Sequence, residues 1–389
     1  MASKERSYNN DLKLQLTLLS ACLVMGAQNA ISGMIPEMAK AFSQVSLSTI
    51  ELITTIPSLF QMIGILISKP VADRIGHKNT MLFGFLFCGL GGVIPTFLPL
   101  FGVIFVTRCL FGLGVGFLCA SQLVLIIHFF TGHTRSNLIG LNGTFGGIGS
   151  AVLTFLAGRL LAISWNSSFA VYIIGFIVGI VSLAFIPNVP PEKRETASGQ
   201  KAAKAPLPAG LIGLAILDLV AVMMATFYVI KASTYITSNG FGTAAEGSTA
   251  LAILSIGSLC AGLSYGKARD ILGHHALTFF FVTCLLGNLI GGLARGCAGV
   301  YIGAFFLGYG YLGFLPFIQE EASVKYGALG QRATNTILIL QSLGAFFTPY
   351  ICPVFDLVSK ELQTQFFLVS ACYGILTVIA VIYAMRNRK

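Results

Sequence analysis

The sequence KPVADRIGHK, residues Lys69–Lys78, is a short charged segment between two long apolar runs. It recurs 197 residues later as GKARDILGHH, residues Gly266–His275. In both copies an aspartate stands three residues before a glycine, and basic residues or histidines follow that glycine. A charged segment that repeats at about half the chain length predicts a duplicated architecture, and the rest of the chain can be arranged around it.

The composition is that of a membrane protein. Of the 389 residues, 55% are hydrophobic and only 10% are charged, whereas a soluble domain carries about 25% charged residues. The net charge of +10 is spread over short connections, which is typical of topology signals and not of a nucleic-acid partner. The nine cysteines follow no metal-binding spacing. We therefore expect a lipid bilayer as the surroundings, and no nucleic acid, metal or cofactor.

Twelve apolar segments are long enough to cross a bilayer, which takes about 20 residues each. They are 14–36, 47–68, 79–98, 101–129, 137–160, 166–187, 209–231, 246–266, 276–295, 298–319, 333–355 and 364–385. An even number of spans places both termini on one side. If the termini are cytoplasmic, 18 of the 24 Lys and Arg residues lie on the cytoplasmic side. The other six are Lys40, Arg108, Arg159, Lys231, Arg295 and Lys360. This bias predicts cytoplasmic termini in the plasma membrane.

The chain divides into two halves. Arg135 and Arg332 show the same offset of 197 as the charged segments, and each stands just before the fifth span of its half. The longest polar interruption, rich in Pro, Lys and Glu, falls between spans six and seven. We predict an N-terminal six-helix bundle at 1–187, a cytoplasmic linker at 188–208 and a C-terminal six-helix bundle at 209–389. Parallel repeats of this kind are typical of transporters with a site at the repeat interface.

With these features the chain resembles the major facilitator superfamily of secondary transporters. The family's signature between spans two and three is Gly-x-x-x-Asp-Arg-x-Gly-Arg-Lys, and Asp73, Arg74, Gly76 and Lys78 match it. Lys69 stands where the leading glycine is expected. The second copy keeps Gly266, Asp270 and Gly273, and the family's Arg-x-x-x-Gly pattern of span four is met by Arg108 and Gly112.

The resemblance implies an all-α membrane protein of twelve transmembrane helices in two pseudo-symmetric six-helix bundles. It further implies a central cavity that opens alternately to each side. Phosphate-binding loops and nucleophile motifs are absent from the sequence. We therefore expect neither an enzyme nor catalytic residues, and we expect a monomer.

The signature segment predicts a conformational latch made of Asp73, Arg74, Gly76, Asp270 and Gly273. Asp73 ends span two on the side where span eleven begins, and a helix N-terminus attracts a carboxylate. Asp270 would mirror this contact against the start of span five. Such contacts require the cytoplasmic ends of the halves to be closed. The alternative is a tight loop whose charges only fix topology.

Two ionisable residues stand well inside spans, where charge is costly and often functional. Arg108 in span four is either a scaffold or coupling residue, with Gln28 and Asn29 as partners, or a contact for an anionic substrate. Asp218 in span seven is a proton-coupling carboxylate, a contact for a cationic group or a structural acid. Glu51 and Lys231 lie near outer helix ends, with Arg159 and Arg295, and are expected to snorkel or to act as gate charges.

Polar residues at mid-span are candidates for the cavity wall. The predicted substrate-binding residues are Gln28, Asn29, Gln61, Arg108, Gln122, Tyr228, Tyr309 and Gln341. The predicted proton-coupling residues are Asp218 and Arg108.

The predicted activity is secondary active transport of a small organic solute, driven by protons or by exchange. One buried cation, scarce buried acids and many aromatic residues favour an amphipathic or carboxylate-bearing organic anion, for example a bile-salt-like molecule. A drug or metabolite efflux antiporter is the alternative, although the Gly-Pro pair that such antiporters carry in span five is replaced by Gly143-Thr144. A non-transporting membrane sensor is the alternative from another class.

Overall fold

The computed structural model describes residues 8–189, 207–326 and 331–386, and all regular structure within them is helical. The α-helices are α1 Leu12–Gly26, α2 Ile35–Ala41, α3 Leu47–Ile75, α4 His77–Phe97, α5 Phe101–Phe129, α6 Gly132–Leu160, α7 Ile174–Phe185, α8 Ala209–Ser238, α9 Ala244–Leu272, α10 Ala276–Gly292, α11 Cys297–Lys325, α12 Gln331–Asp356 and α13 Leu362–Arg386. Short 3₁₀ turns occupy Ala27–Asn29, Ser32–Met34, Asn166–Ile173 and Gly273–His275.

Eleven helical segments of the described chain are long and apolar enough to span a membrane, and one of them is two spans in succession. Ala244–Gly292 holds 49 residues, which is more than twice the length that crosses a bilayer. Leu254 of α9 and Gly287 of α10 both pack against Gly303–Gly308 of α11. The chain therefore reverses at Gly273, where φ is +54°. Counted this way, the twelve predicted spans are confirmed, with α1 and α2 together forming the first.

The helices alternate in direction between two ends of the bundle. We call the end that holds the turns at Gly76, Thr131 and Gly273 the loop end, and the opposite end the far end. On the positive-inside prediction the loop end is cytoplasmic. The linker predicted at 188–208 lies outside the described residues, apart from 188–189 and 207–208.

The duplication is visible in the packing of the helices. Gly112 of α5 lies against the backbone of Pro57 in α3, and Gly308 of α11 lies against the backbone of Leu254 in α9. Leu254 stands 197 residues after Pro57, so the same close approach occurs at corresponding positions of the two halves. A side chain at either glycine would overlap its neighbour's backbone, because such helix contacts depend on small residues.

The two halves meet most extensively along two pairs of helices, α3 with α12 and α6 with α9, and also where the Ser32–Met34 turn and α2 pack on α8 and α9. Gly158 of α6 packs on Ser248 of α9 near the far end, and Gly147 packs on Leu259 near the middle. Between these two seams the halves leave a central space, and the candidate site lies there.

Candidate functional site

A cavity of about 380 Å³ lies between the two halves at mid-height. One wall comes from α1 and its 3₁₀ extension, α3 and α6, and the other wall comes from α8, α9, α11 and α12. The size is that of a small-molecule site. Because each half supplies one wall, any rocking of the halves changes the shape and access of this cavity.

The lining is polar but uncharged. Four side-chain amides reach the cavity, together with hydroxyl groups from both halves, and no described lining residue is an Asp, Glu, Lys or Arg. The amides belong to Gln28, Asn29, Gln61 and Gln341, and the hydroxyl groups to Thr54, Thr55, Ser58, Ser150, Thr226, Ser255, Ser258, Tyr311 and Ser342. Such a wall offers hydrogen-bond donors and acceptors without compensating a full charge on a ligand.

The first helix is interrupted where it borders the cavity. Ala27–Asn29 forms a 3₁₀ turn between α1 and α2, so the regular backbone ladder stops there. The Tyr172 hydroxyl donates a hydrogen bond to the Ala27 carbonyl at 3.0 Å. The Gln28 amide donates to the Ser58 hydroxyl at 2.9 Å. Tyr172 thus adds a second hydrogen bond to a carbonyl that also accepts one from the Ala30 N–H at 2.9 Å, and the Gln28–Ser58 bond fixes one polar corner of the wall.

Arg108 serves two backbone carbonyls that lack ordinary helix partners. Its Nη2 donates to the Gln28 carbonyl at 2.7 Å, beside the helix interruption. Its Nε donates to the Ile53 carbonyl at 3.3 Å, which has no α-helical donor because Pro57 stands four residues later. The side chain is fully buried, and the guanidinium lies 4.7 Å from the Phe111 ring centroid. Arg108 does not line the cavity, and its contact with Gln28 is to the backbone and not to the amide side chain.

Gln341 lies in the opposite wall, and a pair of serines joins the two walls. The Gln341 Oε1 atom is buried and accepts no hydrogen bond within the described residues. Ser150 of α6 and Ser255 of α9 share a 2.8 Å hydrogen bond across the two halves. Gln341 lines the cavity and carries an acceptor without a partner in this conformation, whereas buried polar groups normally have one.

Three predicted substrate-binding residues lie elsewhere and already have polar partners. The Gln122 amide donates to the Leu18 carbonyl at 2.7 Å, which ties α5 to α1. The Tyr228 hydroxyl donates to the Val300 carbonyl at 2.6 Å, and the Tyr309 and Ser264 hydroxyls are 2.8 Å apart. None of the three lines the cavity, so their geometry is that of helix-packing contacts.

Asp218 is a buried carboxyl group without a partner. Its side chain is 0% exposed, and neither carboxyl oxygen accepts a hydrogen bond within the described residues. It lies one helical turn from Val222, which lines the cavity, and close enough to the lining residue Tyr311 to interact with it electrostatically. A charge there without a partner would be costly, so this residue is the candidate for reversible proton binding beside the cavity.

The far end of the bundle is closed. Lys231 of α8 and Glu51 of α3 form an ion pair across the halves, with Nζ and Oε1 at 2.7 Å and side chains 6% and 0% exposed. The Ser233 hydroxyl donates to the Gly33 carbonyl at 2.5 Å, also across the halves. Arg159 and Arg295 at this end are exposed, as snorkelling predicts.

The loop end is open. A side chain added at Gly140 or Gly143 of α6, or at Gly266 of α9, would meet no atom within 4 Å. These positions lie on the stretches of the two helices that extend from their mid-height contact towards the loop end. The described conformation is therefore closed at the far end and separated at the loop end.

The predicted latch residues occupy that separated end. Gly76 and Gly273 end α3 and α9 with φ of +85° and +54°, a conformation that favours glycine. Asp73 is half-buried and Asp270 is exposed, and neither forms a hydrogen bond or ion pair with the described residues. Arg74 is exposed. The side chains of Gln331 and Arg332 at the start of α12, which Asp73 is predicted to approach, lie outside the described residues, so the latch stays a prediction.

Sequence reasoning missed part of the wall contributed by α3. Thr54 and Ser58 line the cavity with Gln61. Their spacing of four and three residues puts all three on one helix face, so a polar stripe on an otherwise apolar span was the available signal. The Glu51–Lys231 pair was also not predicted as a pair, because pairing across 180 residues leaves no local pattern.

Comparisons with known proteins agree with this architecture. The D-xylose-proton symporter matches with a TM-score of 0.75 at 15% identity over 96% of this chain and 97% of that chain. The inward-open xylose transporter XylE from E. coli matches with a TM-score of 0.73 at 15% identity over 97% and 96%. At this identity the likeness concerns the fold alone.

Among curated proteins, the chain is similar to an uncharacterized MFS-type transporter of Mycobacterium tuberculosis, 26% identical over 38% of this chain and 26% of that protein. It is also similar to a hexuronate transporter of Bacillus subtilis, 29% identical over 33% of each chain. The matches thus span a third or less of these relatives' lengths. The family model of the Major Facilitator Superfamily matches residues 17–386. With twelve spans in two halves around a shared cavity, this multi-pass membrane protein belongs to the Major Facilitator Superfamily of transporters.

Proposed function

We propose that this protein carries a small, neutral, hydroxyl-rich solute, such as a monosaccharide, across the plasma membrane by alternating access. The observation that carries the proposal is the wall of the central cavity, where amides and hydroxyls from both halves converge without a charged residue among the described lining. Hydrogen-bonding groups in a dry site discriminate strongly for solutes that satisfy them. The closed far end and the open loop end support alternating access.

The same wall argues against the organic anion that the sequence suggested. Arg108, the one deeply buried cation expected to contact an anion, donates to two backbone carbonyls and does not reach the cavity lining. An anion in this cavity would lose hydration without gaining a cationic partner. The proposal therefore favours the neutral sugar class over uronates and bile-salt-like molecules.

A matched pair of substrates tests the proposal. Purified protein in liposomes is assayed for counterflow of neutral pentoses and hexoses and of the corresponding uronates, which differ from the hexoses by one carboxylate. We expect counterflow of a neutral sugar and none of its uronate. Counterflow of the uronate alone, or of neither class, would refute the neutral-solute proposal.

We further propose that Asp218 carries the coupling proton. Its buried, unpartnered carboxyl beside Tyr311 supports this role, because a site of this kind holds a proton more readily than a charge. With the cytoplasm corresponding to the inside of the liposome, an acid outer buffer should accelerate uptake. In Asp218→Asn the pH gradient should lose this effect while counterflow persists. A gradient effect of equal size in the variant would exclude Asp218.

The proposal also includes the orientation of the protein in the membrane and the latch at the loop end. Both termini lie in the cytoplasm, the loop end is the cytoplasmic end, and the described conformation is inward-open. Asp73 and Asp270 would contact the starts of α12 and α6 only when the loop end closes. The 18-to-6 distribution of Lys and Arg supports this orientation.

A further inference from the structure

A second cleft, of about 370 Å³, opens at the loop end within the second half. Its walls are the first turns of α8 and α10 and the last turns of α11 and α13, and it shares no described lining residue with the central cavity. Along α8 it reaches from Gly210 to Leu217, and along α13 from Arg386 to Ile379. Seven residues of helix rise by roughly 10 Å, so both walls extend equally far into the bundle.

The mouth of this cleft is cationic. Lys325 and Arg386 are exposed in the last turns of α11 and α13, and no described lining residue is an acid. The Lys325 Nζ atom stands 5.3 Å from the centroid of the Tyr383 ring. The acid that Tyr383 contacts, Glu321, accepts a 2.7 Å hydrogen bond from the tyrosine hydroxyl and pairs with Arg269 at 2.8 Å. The charge of this acid is therefore compensated within the second half.

The start of α8 adds a further attraction for an anion at the same mouth. Gly210 lines the cleft, no side chain caps the helix, and its first turn contains no acid. The Tyr326 hydroxyl lies so close to Gly210 that an added Cβ there would overlap it. Helix N-termini bind phosphate groups through their backbone N–H groups and the helix dipole. The mouth thus combines two cations, a hydroxyl group and a helix N-terminus.

Deeper in the cleft the walls are apolar. The lining residues there are Leu214 and Leu217 of α8, Leu277 of α10 and Ile379 of α13, and Ile379 is 43% exposed. Gly213 of α8 leaves room between these walls, since an added Cβ would meet no atom within 4 Å. A cleft that is cationic at its mouth and apolar below matches the polarity of an anionic phospholipid, with its phosphate at the membrane surface and its acyl chains in the bilayer.

We propose that this cleft binds an anionic phospholipid of the leaflet at the loop end. Lys325, Arg386 and the start of α8 hold its phosphate, and one acyl chain enters the apolar part between α8 and α13. Basic pockets between transmembrane helices bind lipid head groups, and each buried methylene group of a chain strengthens the binding. The site involves neither the central cavity nor Asp218, so it is separate from the proposed transport activity.

Native mass spectrometry of the full chain, titrated with phosphatidylglycerol or with phosphatidylcholine of identical acyl chains, tests the mouth. Wild-type protein should bind phosphatidylglycerol more tightly. Lys325→Gln combined with Arg386→Gln should weaken that binding about tenfold to thirtyfold, because two cations are lost. The control, Arg295→Gln combined with Lys360→Gln, removes the same charge from exposed residues at the far end and should bind like wild type. Equal weakening in both double variants would indicate unspecific attraction to a cationic protein and would overturn the proposal.

Gly213→Leu tests the apolar part, because its side chain enters the cleft where an added Cβ has space. Binding of phosphatidylglycerol should weaken about tenfold, while Tm stays equal or rises because leucine favours a helix over glycine. Gly102→Leu is the control, since its added Cβ also has no neighbour within 4 Å but lies at the far end. Wild-type binding in Gly213→Leu would overturn the proposal. So would binding of glycerol phosphate as tight as that of phosphatidylglycerol, which would indicate a soluble phosphate compound as the ligand.

Discussion

At the residue scale, the position of Arg108 follows from a proline on another helix. Pro57 leaves the Ile53 carbonyl without its helix donor, and the guanidinium supplies one while also holding the Gln28 carbonyl. The sequence identified the arginine and named Gln28 as a partner, but it did not indicate that the acceptors are the backbone carbonyls of Gln28 and Ile53. The position of the freed carbonyl depends on how α3 packs against α5, which no local pattern encodes.

This relation predicts a coupled effect on stability. Arg108→Lys keeps the charge but cannot reach both carbonyls, so it should lower stability by about 1 kcal/mol for the lost hydrogen bond. In Pro57→Ala the restored N–H of residue 57 donates to Ile53, and the further cost of Arg108→Lys should be smaller. Thermal unfolding of the four proteins in nanodiscs gives the coupling, and strictly additive shifts in Tm would contradict it.

Gln341 offers a second test, this time of binding. Gln341→Leu keeps the size of the side chain and removes the unsatisfied Oε1 acceptor from the cavity wall. Losing one hydrogen bond to the solute should raise the KM for transport about fivefold to tenfold with little change in kcat. Gln15→Leu is the control, because the Gln15 amide bonds the Asn9 carbonyl outside the cavity. An equal KM in both variants would show that Gln341 does not contribute to binding of the solute.

At the element scale, helix α6 contains two kinds of glycine. Gly149 lies against α1, where an added Cβ would come within 2.5 Å of the Leu23 Cα and carbonyl oxygen. Gly143 lines the cavity near the open end and has no neighbour within 4 Å. In the sequence both belong to one glycine-rich run, and only the packing separates a contact glycine from one that faces free space.

The two positions should respond differently to alanine. Gly149→Ala should lower stability by about 1–3 kcal/mol, because overpacking forces the backbones apart. Gly143→Ala should keep or raise Tm, because alanine favours the helix by about 1 kcal/mol over glycine. It should nevertheless slow transport, because its methyl group must fit against the other half when the loop end closes. Thermal unfolding measures the effect on stability, and counterflow measures the effect on transport. An equal fall of Tm in both variants would contradict the distinction between Gly149 and Gly143.

Most of the helices were predictable and their interruptions were not. The apolar runs placed every span, and α5 was predicted at its observed bounds, 101–129. Several helices extend beyond the apolar run, as α3 does to Ile75 through Pro70. The 3₁₀ turn at Ala27–Asn29 contains no proline or charge that would predict it, because the Gln28 carbonyl is satisfied by Arg108 from a distant helix and Tyr172 adds a second bond to the Ala27 carbonyl.

At the scale of the whole molecule, the constant offset of 197 residues predicted a duplicated structure, and Gly112 and Gly308 show it in their packing. The cavity chemistry could not be predicted equally well. Arg108 is the one cation deep within a span of the first half, and the sequence left open whether it is a scaffold or coupling residue or a substrate contact. The rotation of a helix about its own axis decides whether a buried residue faces the interface between the halves or the interior of its own half. Apolar runs of this length give little information about that rotation.

The latch is tested at this scale. Asp73 stands at the C-terminal end of α3, where a negative charge is unfavourable by about 0.3–1 kcal/mol, and it has no partner among the described residues in the open state. Asp73→Asn should therefore leave Tm unchanged or slightly raised, while counterflow falls because the loop end closes less readily. Asp270→Asn should show the same pattern. Transport at the wild-type rate in Asp73→Asn would refute the latch hypothesis.

The uncharged wall of the cavity also has an electrical consequence. When the empty protein returns between its two states, the described lining carries no charge from one side of the bilayer to the other. A membrane potential contributes about 2.3 kcal/mol per elementary charge at 100 mV, and on this leg of the cycle the group of the site on which it acts is the ionised carboxylate of Asp218 beside the cavity. With a neutral solute and a protonated Asp218 the loaded site carries no net charge, so the return of the ionised carboxylate would be the step that moves charge. Current recorded across a supported membrane should then accompany sugar uptake in the wild type and disappear in Asp218→Asn.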